Sequence, residues 1–383
     1  MKIFIKILTT LSLSFMLASC AMVQEKAPEE FFYFGTFSKQ NMPGLFVYNF
    51  NRDSARFSLV QAVEHLAGPN FLAVNSDETV LYSVNNESVN DSTRWGSVSA
   101  FRIDSISGEL TVINDQPSYG SGPCHIAVNE AGTFVAVSNY GSGSLAVIAL
   151  NEDGSLGSTH HVIKHEGSGP VPSRQNRPHV HSSLIIDNLD MILAADLGTD
   201  KIMVYDINRN DLSLQPGKKS FLTSVPGAGP RHMDFNPAQS VLYMIGELSN
   251  SVSVYSIAGD SISDMIQHIR ALPENFDSIS YCADIHVHPS GKFLFASNRG
   301  HNSIAVFSIN QQDGTLAFTG TFPCGGNWPR NFMVDPEGEF LFVANERSDN
   351  IAIHKIDQES GALMNTGKSL SVMTPVCIKR IIK

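Results

Sequence analysis

Ten side chains in the later two thirds of the chain are of types that move protons or grip negative charge: His179, His181, Arg231, His232, Glu247, Asp284, His286, Arg299, Arg330 and Asn331. A carboxylate or a neutral imidazole can take a proton from water. A guanidinium fork can stabilise an oxygen that gains charge, or hold a phosphate or carboxylate. Other routes to chemistry lack their motifs: there is no G-x-S-x-G elbow, no Walker loop, no H-E-x-x-H and no G-x-G-x-x-G. The cysteine spacings match no zinc pattern, His160, His161 and His165 read as part of a solvated loop, and neither metal nor other cofactor is expected.

Residues scattered from position 179 to 331 need a scaffold that gathers them, and the chain carries one as a repeat. Six times after residue 60 a Pro-centred start is followed by a strand pattern, a polar turn, an apolar run ending at Asn or Asp, and a second apolar run. The starts fall at Pro69, Pro123, Pro178, Pro230, Cys282 in the Pro slot, and Pro329, spaced by 54, 55, 52, 52 and 47 residues. A Val/Ile/Phe-rich period of that length predicts propeller blades rather than a helical solenoid. A seventh copy begins at Pro375 but has room for only one strand before Lys383. Its missing strands lie at the other end, where Phe31–Phe37 matches Phe293–Arg299 position for position. The expected fold is therefore all-β: one seven-bladed propeller over 31–383, closed by pairing the C-terminal strand with N-terminal strands, which locks the circle.

Comparing the copies with one another separates structural positions from candidate site positions. At the end of the second strand, Asn85, Asn139, Asn298 and Asn345 share a slot with Asp196, Gly246 and Thr36, which reads as a side chain tying a turn to the backbone. The next slot holds Phe37, Asn86, Tyr140, Leu197, Glu247, Arg299 and Glu346, a variety no scaffold requirement explains. On the innermost strand, one slot holds Asn70, Cys124, His181, Arg231, Ala283 and Arg330. Equivalent positions of a ring face one funnel, so His181, Arg231, Glu247 and Arg299 are expected to converge as the catalytic set. His179, two residues from His181 on an extended strand, shares its face and would orient it. With His179, His232, Asp284, His286, Arg330 and Asn331 complete the expected substrate-binding rim. The long connection 167–177, with Arg174 and Arg177, precedes the H-V-H strand and is placed to lid the funnel or read substrate charge.

The same stretches carry a family resemblance. R-P-H-V-H-S from Arg177, A-D-L-G-T-D from Ala195, G-P-R-H from Gly229, G-E-L from Gly246, D-I-H from Asp284, S-N-R-G-H from Ser297 and P-R-N-F from Pro329 together resemble the seven-bladed lactonase family. That family comprises the propeller-type 6-phosphogluconolactonases and, as relatives, fungal carboxy-muconate lactonizing enzymes. The resemblance implies lactone-ring chemistry without a metal, built from the His of P-H-x-H, the Arg of G-P-R-H, Glu247 and the Arg of S-N-R-G. On this reading Glu247 or His181 activates water for attack on a sugar lactone, 6-phosphogluconolactone or gluconolactone, while Arg231 and Arg299 stabilise the oxyanion or hold an anionic substituent. The alternatives are a lactonizing or cycloisomerase relative, and a non-catalytic envelope propeller that binds a ligand or protein. Family members read N-E-L where this chain has Gly246-Glu247-Leu248, and loss of the Asn side chain predicts a looser turn beneath Glu247.

The amino terminus speaks to address. Lys2 and Lys6, the apolar run 7–17 and Leu17-Ala18-Ser19-Cys20 resemble a bacterial lipoprotein signal over 1–19, with Cys20 as the lipidated residue and 20–30 as a tether. That places the protein in the cell envelope, held to the membrane by its lipid anchor. The chain has 26 Lys+Arg against 37 Asp+Glu, net −11; without residues 1–19 two lysines go and 24 minus 37 leaves −13. Such acidity argues against nucleic acid or an anionic membrane surface as a partner. Cys124, Cys282 and Cys377 fall near blade starts and read as packing residues, and a disulfide between Cys282 and Cys324 of adjoining blades stays open.

Overall fold

The computed structural model describes residues 29–38, 42–64, 66, 68–86, 95–259 and 261–383. The expected signal segment, Cys20 and most of the tether lie outside them. The described strands form seven four-stranded antiparallel sheets. Six blades are contiguous in sequence, at 69–117, 123–164, 180–223, 230–270, 281–323 and 329–371. The seventh joins Pro375–Ile382 to Glu30–Thr36, Leu45–Asn51 and Arg56–Val63, which is the expected closure.

Blade strands differ in pattern because they differ in surroundings. The second strand of each blade is covered on both faces by neighbouring blades and reads as a continuous apolar run; Phe340–Asn345 and Val241–Gly246 are buried at every position. Outermost strands such as Leu363–Ser371 are mostly exposed or half-buried. Where the termini meet, Phe31 faces Ile381 and Phe34 faces Ile378 across the ladder. Phe32, Phe34 and Phe50 pack there with Phe342 of blade 6. Each such ring contributes about 1.5–3 kcal/mol by burial. Of the ion pairs beside them, Glu30 with part-exposed Arg52 at 2.8 Å belongs to a class worth about 0–1 kcal/mol, whereas Glu30 with Arg380, also at 2.8 Å, is buried, and loss of either partner there would leave an uncompensated charge. Packing, the ladder and the buried Glu30–Arg380 pair together hold the ring shut. The first strand begins at Glu30, so the ring takes in the last residue of the expected tether.

The seven innermost strands line a central channel and run in the same direction, so their first residues gather at one mouth and their last at the other. Each carries a break in register near its start: between Pro69 and Phe71, Pro123 and His125, Val180 and Ser182, Pro230 and His232, Cys282 and Ile285, Pro329 and Asn331, and opposite Gly35 and Thr36 in the closing blade. A β-bulge frees one residue from the ladder and re-aims its side chain. The bulged residues include Asn70, Cys124, His181, Arg231 and Arg330, the innermost slot picked out by internal comparison.

Candidate active site

The mouth at the strand starts opens into a cavity of about 340 Å³, the low end for small-molecule sites. The bulged residues Asn70, Cys124, His181 and Arg330 line it. So do Phe37, Asn86, Tyr140, Glu247 and Arg299 from the variable slot after the second strand. Arg174 completes the wall.

Glu247 is the centre of the arrangement. Its carboxylate is buried and meets three guanidinium groups: Arg299 Nη2 lies 2.9 Å from Oε2, Arg231 Nε 3.0 Å from the same oxygen, and Arg174 bonds Oε1. Burial alone would raise its pKa, but Arg299, Arg231 and Arg174 outweigh that and hold it far below the usual carboxylate range. The arginines are aimed by backbone carbonyls of blade 5. Arg299 donates to the carbonyls of Cys282 at 2.9 Å and Tyr281 at 3.3 Å, and Arg231 to that of Ala283. Arg174 comes from a single helical turn, Pro172–Gln175, in the long connection before blade 3. Buried Gln175 staples that turn to the ring through the Leu197 carbonyl at 2.8 Å and Asp200 at 2.6 Å. Internal comparison could not place Arg174, because its loop has no counterpart in the other copies; the only signal was the loop's length and its arginines.

Gly246 does not loosen the turn beneath Glu247, contrary to expectation. A Cβ there would collide with Ser249 Oγ and meet the Ala228 carbonyl at 2.9 Å. The turn is instead closed by the neighbouring chain, with Glu247 N–H donating to Gly229 at 2.8 Å and Leu248 N–H to Ala228 at 2.9 Å. Elsewhere the slot ties turns as expected: Asn139 Nδ2 reaches Ser118 O at 2.9 Å and Asn298 Nδ2 reaches Ala271 O at 2.9 Å.

Arg330 differs from the other three arginines. It stacks over Phe37 at 4.7 Å and sits a loose 3.7 Å from Glu346, but makes no hydrogen bond among the described residues. Four guanidinium groups, Arg174, Arg231, Arg299 and Arg330, thus meet two carboxylates, Glu247 and Glu346, leaving the mouth at about +2 in a chain of net charge −11.

His181 packs edge-on to Tyr140 at 5.5 Å, with Nδ1 3.9 Å from Cys124 Sγ. Burial, then Arg231, His232, Arg330 and Arg299, hold its pKa well below 6.5, so the ring is neutral and free to accept a proton. Cys124 is no rival nucleophile: burial pushes its thiol up to about 12, and it donates to the His181 carbonyl at 3.2 Å. Cys282 donates to Asn298 Oδ1 at 3.0 Å and Cys324 to Gly326 O at 3.2 Å, and both are free thiols, not a disulfide.

The remaining expected rim residues go elsewhere. His179 stacks flat on Tyr140 at 4.3 Å with Nδ1 3.0 Å from the Tyr140 carbonyl, behind the cavity wall rather than in it. His232, Asp284 and His286 lie further along their strands and line a separate cavity of about 520 Å³ at the opposite mouth. Asn331 is buried between blades, bonding Asp284 and accepting from Ile378 N–H at 2.8 Å.

Comparison with known proteins agrees with this geometry. A family model described as "Lactonase, 7-bladed beta-propeller" matches residues 31–380. A 6-phosphogluconolactonase of Bacillus subtilis is 37% identical over 305 residues, 79% of this chain and 84% of its own length. A crystal structure from Bacteroides fragilis, described as a candidate 6-phosphogluconolactonase, superposes with a TM-score of 0.84 at 34% identity, covering 92% of this chain and 98% of that one. The periplasmic gluconolactonase of Pseudomonas aeruginosa gives 0.84 at 27% identity over 92% and 99%. The chain belongs to the seven-bladed β-propeller lactonase family.

Proposed function

We propose that the protein hydrolyses an anionic sugar δ-lactone of the 6-phosphogluconolactone type to its open-chain acid, by direct attack of water. The observation that carries this is the surplus of guanidinium over carboxylate at the mouth, with the donors of Arg330 making no hydrogen bond among the described residues. Arginine forks pair with phosphate in bidentate geometry, so Arg330, stacked on Phe37, is the handle for the charged substituent. His181, neutral with its other ring nitrogen unpartnered among the described residues, takes the proton from water. Arg299 and Arg174, whose guanidinium groups face the same cavity, stabilise the oxyanion. Glu247 is held too acidic to be an effective base; it keeps the guanidinium groups in place and ionised.

A lipid-anchored address in the cell envelope, read from the amino terminus, favours an unphosphorylated sugar lactone as a second substrate, and the similarity to a periplasmic gluconolactonase supports the same reading. A pH-stat assay with gluconolactone and its 6-phosphate, corrected for spontaneous opening, tests the proposal. Acceleration of the 6-phosphate is expected; no acceleration of either lactone would leave a ligand-binding propeller.

R330Q is expected to lower kcat/KM for the phosphorylated lactone about 10- to 100-fold while changing that for gluconolactone less than about threefold, the loss of one charge-assisted contact. Because Arg330 is one of the cations holding His181 below 6.5, the acid limb of the variant's pH profile should also move up toward that value. Equal losses on both lactones would remove Arg330 from substrate recognition.

A further inference from the structure

Hydrolysis of a lactone releases one proton per turnover. Water forms a bond to the carbonyl carbon as His181 takes its first proton. That proton returns to the ring oxygen as the carbon–oxygen bond breaks. The carboxylic acid so formed then ionises, and its proton has to leave a site walled by Arg174, Arg299 and Arg330, whose positive field disfavours keeping it there. We propose that this proton leaves through the channel, from His181 by way of His232 and Asp284 to His286 and out of the opposite mouth. The inference rests on the hydrolytic reading above.

The residues form a continuous line between the two cavities. The ring of His181, in the wall of the first, packs edge-on against that of His232 with centroids 5.4 Å apart; no direct hydrogen bond joins the two rings among the described residues, so this step of the relay runs through a bridging water. His232 Nδ1 is 2.7 Å from Asp284 Oδ1. An ionised carboxylate only accepts, so Nδ1 carries the hydrogen and Nε2 keeps its lone pair. Asp284 Oδ2 is 3.2 Å from His286 Nε2, which by the same rule carries a hydrogen at rest, so His286 takes the relayed proton at Nε2 after shifting that hydrogen to Nδ1 by exchange with solvent; Nδ1 lies 3.9 Å from Asp234 Oδ2. His286 is the exit group: its side chain is 37% exposed and lines the second cavity with His125, Asp234 and Lys379.

The charge states suit the direction of transfer. Burial and then Arg231 bring His232 down to about 4, so the ring is neutral and ready to accept. Burial also disfavours the charged form of His286, but Asp284 outweighs it and raises the pKa above 6.5. Lys379 opposes that rise and Asp234 assists it. A proton thus gains stability on passing from His232 to His286. Asp284 also accepts from Asn331 and, at 3.2 Å, from Phe332 N–H, joining blades 4, 5 and 6. Its removal would confound transport with folding, whereas half-buried His286 can be changed alone.

In weakly buffered solution H286A is expected to lose about tenfold in kcat with little change in kcat/KM, to show a larger solvent deuterium isotope effect on kcat, and to recover when imidazole is added. A merely structural role for His286 would give none of the imidazole rescue. An H286A protein with wild-type kcat at low buffer, or one whose loss imidazole does not repair, overturns the relay while leaving lactone hydrolysis standing. A wild-type protein that accelerates neither lactone overturns both.

Discussion

Substitution of Glu247 by glutamine should cost about 3–5 kcal/mol of folding stability at pH 7, as well as activity, because it leaves buried guanidinium groups without their counter-charge. Arg231 is 2% exposed and its Nε has Glu247 as its acceptor, so the amide keeps the shape of the contact but not its neutralising charge. The pH dependence carries a sign. The folded pKa of Glu247 is depressed, so its stabilisation is complete above the ordinary carboxylate value of 4.5 and is lost as pH falls below that toward the folded value. Denaturant unfolding should show a wild-type protein that weakens below about pH 4.5 and an E247Q protein with a shallower acid dependence. The double variant R231M/E247Q should recover part of the loss, since it removes charge and counter-charge together. An E247Q protein within about 1 kcal/mol of wild type would mean that the arginine cluster is compensated elsewhere.

Substitution of His181 by alanine should lower kcat/KM by about 10²- to 10⁴-fold, the range for loss of a general base. The fold should survive. His181 is neutral, and its bulged position lies outside the ladder hydrogen bonds. Steady-state kinetics across pH should also show the acid limb disappear, because its titrating group is gone. If H181A kept its rate within about threefold of wild type, the base would have to be sought at Glu247 after all, with the substrate's own negative charge drawing arginines away and restoring its basicity.

Much of this site was legible in the sequence because a repeat lets one copy comment on another. The irregular slot holding Tyr140, Glu247 and Arg299, and the innermost slot holding His181 and Arg330, both reach the same cavity. The closure was legible for the same reason, an unfinished seventh copy whose complement stood at the other terminus. Depth along the channel was not. Arg231 and His232 are adjacent in sequence, yet the bulge between Pro230 and His232 turns the first toward Glu247 and leaves the second facing Asp284 and the other mouth. Strand alternation yields a face, whereas bulges redistribute residues between the ends of that face, and nothing in the residue types announces a bulge. Gly246 misled for a related reason: the close approach of the backbone at Ala228, which leads into the same blade, is visible only once the strands of blade 4 are paired.

The recurrence of a ladder break on all seven inner strands has a consequence for how such rings change occupation over evolutionary time. A residue outside the ladder carries no strand pairing, so a position such as that of Arg330, whose side chain makes no hydrogen bond among the described residues, behaves as an exchangeable fitting around a rigid collar. New specificity can then be acquired one blade at a time, with the collar itself left intact.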